Sequence, residues 1–247
     1  MKEARQIMGM PVTIMCPDGA IEGSELESIF DFLRDVDEKY SPYKDTSDVA
    51  NINRKELDEQ NYSQELKSIL EIADKTKKET DGYFDVWHNG TFDPSGIVKG
   101  WAIGQAARLL RAHTSDFYIE IAGDIQVSGE SLSGKDWKIG IRNPFDRTQN
   151  IAVVELSNSA IATSGTAIRG QHIYNPKTDE PIGDEVVSLS VITKDIVDAD
   201  RIATAAFAMG PDGIKFIESL DGYEAYMVDK NKMATQTTNW HTYEAES

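Results

Sequence analysis

Apolar residues recur at helical spacing in several separate stretches of the chain. In the first stretch Leu26, Ile29 and Leu33 fall on one face, which is the period of a helix with one buried side. Ser24 and Glu27 are three residues apart at the start of this run, so we expect them to form a capping box. The same spacing predicts helices over residues 25–39, 63–80, 96–110, 198–209 and 213–219, with a short one within 46–53.

Other stretches alternate apolar and polar residues or form short apolar runs, which favours β-strands. They lie at residues 6–16, 83–87, 117–122, 125–127, 137–142, 151–156, 160–164, 186–192 and 225–228. Strands and helices follow without a regular β-α-β alternation, so the pattern predicts an α+β fold with mixed or antiparallel sheets. We find no internal repeat or linker and expect one domain over residues 1–247, with a tail around Trp240 and His241 that is partly ordered at best.

The charge of the chain restricts its ligands. The formal net charge is -17, whereas nucleic-acid surfaces need clustered Lys and Arg, so we predict no nucleic-acid partner. A small anion can still bind where backbone amides, one arginine or a bound cation supply positive charge locally.

The cysteine content and the hydropathy of the chain indicate where in the cell it is expected. Cys16 is the single cysteine, which excludes an intramolecular disulfide and a cysteine zinc cluster. It lies in an apolar run, where a packed thiol is expected rather than a nucleophile. No apolar stretch approaches the roughly 18 residues of a membrane span, and no export signal precedes the first strand. We therefore expect no membrane span and a cytoplasmic location for the chain as given, with a trimmed extracytoplasmic form left open.

The stretch from Ile161 to Pro176 carries the first candidate chemistry. It contains the pattern A-T-S-G-x-x-x-R-x-x-H, with small and hydroxyl residues followed by Arg169 and His172. Small residues let a ligand approach the backbone, arginine pairs with phosphate, and histidine titrates near neutrality. On these residues alone, a loop whose polar groups only cap and turn the chain is an equally good interpretation.

Residues 93–103 form the second candidate stretch, a glycine-containing turn that enters a helix. The free N–H groups of a helix N-terminus suit an anion. The pattern is neither a Walker sequence nor a dinucleotide fingerprint, so it is weak by itself.

The third candidate stretch, residues 198–204, opens a helix with acidic residues. Asp200 and Thr204 are four apart and share one helical face; their oxygens are hard ligands that Mg²⁺ accepts together with phosphates. On the local sequence alone, an N-cap formed by Asp198 or Asp200 is the favoured interpretation.

These stretches, in this order, resemble the ApbE family of flavin transferases, which move FMN from FAD onto a protein. The family patterns D-x-x-x-I-A-K-G-Y-A, N-I-G-G-D-I, A-T-S-G…R…H-I-x-D-P-x-T-G and A-D-A-x-A-T are similar to residues 93–102, 120–125, 162–179 and 199–204. The resemblance spans nearly the whole chain, and the ordered set is far more specific than any single motif.

The chain departs from the family pattern at several places. Only residues 86–92 lie where the family has a long segment, so part of the usual flavin-pocket wall is expected to be missing or rebuilt. Asn175, Val98, Trp101 and Ala122 replace the usual Asp, Ala, Tyr and Gly. The resemblance thus identifies a compact, divergent member.

The resemblance implies an ApbE-like, T-fold-related α+β architecture and FAD as a substrate whose pyrophosphate binds at Mg²⁺. It assigns Mg²⁺ to Asp200, Thr204 and the carbonyl of Gly96. His172 is implied near the acceptor hydroxyl, as a base or as an orienting group, and Arg169 at a phosphate or fixing the loop.

The remaining implied contacts are to the nucleotide. Asp93 and Lys99 are expected at the flavin nucleotide, and Met10 and Tyr43 at a ring, although Met10 in the core is an equally good interpretation. The other flavin-nucleotide contacts are expected from Asp85, Thr163, Ser164, Gly165 and Val187. The acceptor is expected to be a Thr or Ser of a partner protein; hydrolysis of FAD to FMN and AMP, or a carrier that performs no chemistry, are the alternatives.

Overall fold

A large antiparallel sheet organises the protein. The computed structural model describes residues 1–166, 174–178 and 180–245. The strands of the large sheet are β1 (Lys2–Ile7), β2 (Met10–Met15), β5 (Phe117–Ile121), β6 (Asp124–Ser128), β9 (Ala160–Gly165), β12 (Val186–Thr193), β13 (Glu224–Asp229) and β14 (Ala234–Gln236). They lie side by side in that order, and every neighbouring pair is antiparallel.

Smaller ribbons and helices surround this sheet. The ribbons pair β3 (Trp87–His88) with β4 (Thr91–Phe92), β7 (Trp137–Asn143) with β8 (Asp146–Leu156), and β10 (Tyr174–Asn175) with β11 (Glu180–Pro181). The helices are α1 (Gly23–Tyr40), α2 (Asp48–Asn53), α3 (Gln64–Glu79), α4 (Ser95–Arg111), α5 (Ile196–Ala208) and α6 (Gly213–Glu218). The predicted α+β class and the predicted helices are confirmed. Within the described ranges, no helix is long and apolar enough to cross a membrane.

The capping box predicted for α1 was placed two residues too late. Glu22 has extended backbone angles and its side chain caps the helix, while Glu25 accepts a hydrogen bond from the Glu22 amide at 3.2 Å. Ser24 lies inside the first turn, and its carbonyl already accepts a bond from Ser28. A glutamate can therefore play both roles of the box, and the S-x-x-E signature was misleading.

The strand predicted over residues 6–16 is instead the second half of a hairpin. Met8 and Gly9 both have positive φ, 57° and 65°, which matches the two-residue turn that joins tightly twisted strands. Because both strands are amphipathic, their residues read as one continuous strand in the sequence.

The sheet separates two apolar cores. Helices cover one face; β7, β8 and the 3-10 turn Trp240–Tyr243 cover the other. Ala160 and Ala162 point to the helical side, whereas Ile161 between them joins the second core, as the two-residue period of a strand requires. Trp240 is completely buried there, so the expectation of a partly ordered tail is wrong at this residue. Cys16 is buried as predicted.

Helices α4 and α5 approach closely through glycines spaced four residues apart. A methyl group at Gly100 would lie 2.8 Å from Asp200 Cβ, and one at Gly104 would lie 3.0 Å from Val197 Cγ2. Residues four apart share a helical face, so these glycines form a flat contact surface. This packing brings the α5 side chains against the first turns of α4.

Candidate functional site

A cavity of about 590 Å³ opens between the first turn of α4, strands β9 and β12, helix α5 and the β7–β8 ribbon. Its volume is in the range of small-molecule sites, roughly 300–1,000 Å³. The predicted site residues in its lining are Met10, Asp85, Asp93, Gly96, Lys99, Thr163, Ser164, Gly165, Val187, Asp200 and Thr204. The fold therefore collects into one cavity residues that are far apart in the sequence.

Three predicted site residues have other outcomes. Tyr43 is 89% exposed and lies outside the cavity lining, so its contact with a flavin or adenine ring stays a prediction. Arg169 and His172 lie outside the described residues, and their roles also stay predictions. Met10 both lines the cavity and packs against the first core, which is compatible with either interpretation of this residue.

Asp200 is a buried residue inside α5 rather than its cap. The N-cap is Asp195, whose side chain accepts a hydrogen bond from the Val197 amide. Asp200 is 4% exposed, and its Oδ2 accepts a hydrogen bond from the Gly100 amide at 2.8 Å. The capping interpretation, favoured on local sequence, is thus wrong because the helix begins at Ile196, two residues earlier than expected, and Asp195 caps it.

The donor set around Asp200 fits a magnesium ion. Thr204 lies one turn further on the same face, with its Oγ1 at 3.5 Å from Ser164 Oγ. A methyl group at Gly96 would lie 3.4 Å from Thr204 Cγ2, so the first turn of α4 packs against the Thr204 side chain. A carboxylate, a hydroxyl and a carbonyl are hard oxygen donors, and Mg²⁺ is usually held by one or two carboxylates plus substrate phosphates.

The described residues offer a metal at this site few charged ligands. In the described part of the chain, no group of three or more His, Cys, Asp or Glu side chains is placed to hold a metal. In an α-helix the Gly100 amide bonds the Gly96 carbonyl, and here the same amide donates to Asp200 Oδ2 at 2.8 Å. Since a carbonyl oxygen has two lone pairs, Gly96 keeps the capacity to bind a cation.

Lys99, Asp124 and Asp200 form a buried ion cluster beside these ligands. Lys99 Nζ is 2.6 Å from Asp124 Oδ2 and 3.6 Å from Asp200 Oδ1. Asp124 Oδ2 accepts no aligned hydrogen bond within the described ranges, so its contact with the ammonium group is ionic. Burial raises the pKa of Asp200 above that of an ordinary aspartate; Lys99 opposes this rise and the Asp124 carboxylate adds to it.

The segment Thr163-Ser164-Gly165 ends β9 against β12. The Thr163 amide donates to Asp124 Oδ1 at 3.1 Å, and the Thr163 and Ser190 hydroxyls are 2.8 Å apart. A methyl group at Gly165 would lie 2.6 Å from the Val187 carbonyl oxygen. Only glycine permits this approach, which is why the motif places one here.

Asp85 and Asp93 fix local structure at the cavity edge. Asp93 Oδ1 accepts the Ser95 amide hydrogen at 2.9 Å, so one free amide of the α4 N-terminus is already satisfied and is not available to an anion. Asp85 pairs with Lys77 at 2.6 Å and accepts the Trp87 amide hydrogen. Their proposed contacts with the nucleotide stay predictions.

The β3–β4 hairpin stands where a longer family segment was expected. Asn53 anchors it by bonding both the amide and the carbonyl of Phe92. On its other side Tyr174 stacks on His88 with ring centroids 3.7 Å apart, and its hydroxyl donates to the Asp85 carbonyl. The short segment is therefore tied to both α2 and β10.

Sequence reasoning missed two contributions to the site. Asp124 belongs to a motif of the family, but the sequence does not indicate its role, because its partners Lys99 and Thr163 lie on α4 and β9. The cavity lining also includes ribbon residues Lys138, Ile139, Ile141 and Arg142. The strict alternation of residues 137–142 shows that one face of this strand is exposed, but nothing in it shows what that face covers.

Ala122 offers a stability test beside the site. It occupies the two-residue turn before Asp124 with φ 54°, a conformation that costs a non-glycine residue about 1–2 kcal/mol. We expect Ala122→Gly to raise the free energy of unfolding by roughly 0.5–1 kcal/mol, after the larger entropy of unfolded glycine is subtracted. Urea denaturation measures it, with Ala112→Gly (φ −69°) as the control that should be destabilised. A less stable Ala122→Gly protein would contradict the strain argument.

Known proteins resemble the chain in sequence and fold. The sequence pattern of the ApbE family matches residues 8–90 and 88–227. A FAD:protein FMN transferase of Vibrio cholerae is 35% identical over 130 residues, 49% of this chain and 39% of that protein. Another, of Chlamydia muridarum, is 26% identical over 241 residues, 73% of each chain. The chain spans 39–42% of the length of the first relatives it matches.

Solved structures show the same fold. The flavin transferase ApbE from Vibrio cholerae superposes with a TM-score of 0.84 at 21% identity, covering 98% of both chains. The ApbE protein from Thermotoga maritima gives 0.85 at 23% identity, covering 100% of this chain and 99% of that one. With the family pattern matched along most of its length, the chain belongs to the ApbE family.

Proposed function

We propose that this protein transfers FMN from FAD to a Thr or Ser hydroxyl of an acceptor protein and releases AMP. The observation that carries the proposal is the convergence of Gly96, Lys99, Asp200 and Thr204 in one cavity. Hard oxygen donors beside an ammonium group suit a metal-bound pyrophosphate. The relatives named FAD:protein FMN transferase support the same reaction.

Asp200, Thr204 and the Gly96 carbonyl would hold Mg²⁺, and Lys99 would contact the nucleotide. A bound Mg²⁺ supplies neutralisation of the phosphate charge. This local arrangement lets a chain with a net charge of -17 bind an anionic substrate. Asp93 and the Thr163-Ser164-Gly165 segment would complete the nucleotide contacts.

The transfer balances without an oxidant or reductant. The acceptor hydroxyl oxygen forms a bond to the phosphorus of the FMN half, and the bond from this phosphorus to the bridging oxygen breaks. The bridging oxygen leaves with AMP. The hydroxyl proton passes to a base, for which we propose His172, since histidine accepts protons near neutral pH.

His172→Ala is expected to abolish transfer while leaving FAD binding intact. Loss of a general base slows a reaction by roughly 10²–10⁴-fold, whereas the ion cluster and hydroxyls that would bind the nucleotide are unchanged. Flavin fluorescence measures binding, and mass spectrometry of the acceptor peptide measures transfer. Full transfer by the variant would remove the proposed role of His172.

The function itself is tested with FAD, Mg²⁺ and a threonine-bearing acceptor peptide. We expect AMP release together with a peptide whose mass has increased by FMN. AMP with free FMN would replace the proposal by hydrolysis, and bound but intact FAD with every acceptor tried would leave a carrier. A peptide with the threonine replaced by valine is the control.

A further inference from the structure

The two carboxylates of the ion cluster are engaged differently. Asp124 Oδ1 accepts the Thr163 amide hydrogen, and Oδ2 lies 2.6 Å from Lys99 Nζ. Asp200 Oδ2 accepts the Gly100 amide hydrogen, whereas Asp200 Oδ1 lies 3.6 Å from Lys99 Nζ. Both oxygens of Asp124 are therefore in close polar contact, while Asp200 Oδ1 meets the ammonium group only at the longer distance.

Burial makes this difference consequential. Asp124 and Asp200 side chains are 1% and 5% exposed, and Lys99 is 19% exposed. Charges held out of water interact strongly, so the ammonium group goes to whichever carboxylate attracts it most. Among the described members of the cluster, two carboxylates face one ammonium, so one negative charge is left for a further cation when both carboxylates are ionised.

We propose that Asp124 is a positioning residue: it holds the Lys99 ammonium and so keeps Asp200 Oδ1 available to a divalent cation. This inference rests on the proposed function. Asp124 does not line the cavity and would not contact substrate; it acts through Lys99. Without its charge, Asp200 becomes the only carboxylate of the cluster, and Lys99 occupies as a cation the place that the metal needs.

Asp124→Asn removes the negative charge of this side chain and keeps its shape. Asparagine keeps an oxygen that accepts the Thr163 amide hydrogen, so the contact to β9 is retained, but it no longer holds the ammonium. Loss of a partner that supports a metal ligand weakens metal affinity by roughly 10- to 100-fold, and we expect a decrease of this size. The direction of the change in metal affinity depends on the charge of the cluster. Lys99→Met removes a positive charge, so it should increase the affinity.

The test measures binding of Mn²⁺, an EPR-active substitute for Mg²⁺, with and without FAD. When the carboxylates are ionised, the cluster charge is -2 in Lys99→Met, -1 in wild type, -1 in Asp124→Asn/Lys99→Met and zero in Asp124→Asn. We expect affinity to decrease in that order, with wild type and the double variant similar. If Asp124 only maintained the fold, the double variant would bind no better than Asp124→Asn.

Each result decides the proposal. It is overturned by unchanged affinity in Asp124→Asn, by no recovery in the double variant, or by no Mn²⁺ binding to wild type under either condition. Lys99→Met gives an independent decision should Asp124→Asn fail to fold, because weaker binding there contradicts the charge argument. Mn²⁺ binding needs no turnover, so the expected order in a protein that leaves FAD intact would reject the proposed function alone.

Discussion

Asp200→Asn is expected to lose Mg²⁺-dependent AMP release while the folded protein keeps its stability. The variant lacks the one charged ligand proposed for the metal, so we expect a decrease in turnover of at least roughly 1,000-fold, larger than the 10- to 100-fold typical of residues behind the ligands. AMP release at saturating FAD, measured over a range of Mg²⁺ concentrations, gives the effect. Turnover within a few-fold of wild type would remove Asp200 from the metal site.

The stability part of this prediction follows from the burial of Asp200. Burial raises the pKa of Asp200 from an ordinary 3.8 to about 7, so the folded state retains a proton that the unfolded chain releases. Wild-type stability therefore decreases as pH rises between these two values. Asparagine carries no charge and lacks this decrease, so in EDTA the variant should become progressively more stable than wild type from pH 4 to pH 7.

Asp198→Asn is the matched control on the same helix. Asp198 lies near the surface and pairs with buried Arg201 at 2.6 Å, and Arg201 also pairs with Glu79 at 2.5 Å. Removing one charged partner should cost about 1–3 kcal/mol of unfolding free energy and leave turnover unchanged. Opposite outcomes in the two variants would separate a ligand from a structural carboxylate.

Much of this fold could be predicted because local patterns and tertiary structure agree. The period of apolar residues gave every long helix, and alternation gave most strands, including the ribbon over residues 137–142. The ends of the elements were predicted less well. The Met8-Gly9 turn, the Glu22 cap and the Asp195 cap depend on backbone angles that several residue types can adopt. The family resemblance supplied the site residues, which no local pattern would have joined.

The ion cluster shows why part of the site could not be predicted. Lys99, Asp124 and Asp200 come from two helices and a strand, and their charges acquire a role only when folding removes them from water. In the sequence, Asp124 ends a turn and Asp200 resembles a cap. Only the distances to Lys99 distinguish the carboxylate that holds the ammonium from the one left for a cation.

Gly100→Ala is expected to impair the same site without changing any charge. The added methyl group would lie 2.8 Å from Asp200 Cβ, 2.9 Å from its Oδ2 and 3.1 Å from the Ile196 carbonyl oxygen. Because a backbone atom lies on one side, the strain moves the Asp200 side chain or separates α4 from α5. We expect a loss of about 1–3 kcal/mol in stability and a roughly 10- to 100-fold decrease in turnover.

Gly104→Ala distinguishes displacement of Asp200 from a general effect on helix packing. Its methyl group would meet only side chains, Val197 Cγ2 at 3.0 Å and Ile196 Cγ2 at 3.7 Å, which can shift by small rotations. Alanine also favours a helix over glycine by up to about 1 kcal/mol, so this variant should be nearly as stable as wild type and fully active. If both variants kept full turnover, Asp200 would tolerate displacement and could not be a geometrically strict metal ligand. If both lost it equally, the spacing of α4 and α5 rather than the position of Asp200 would control the site.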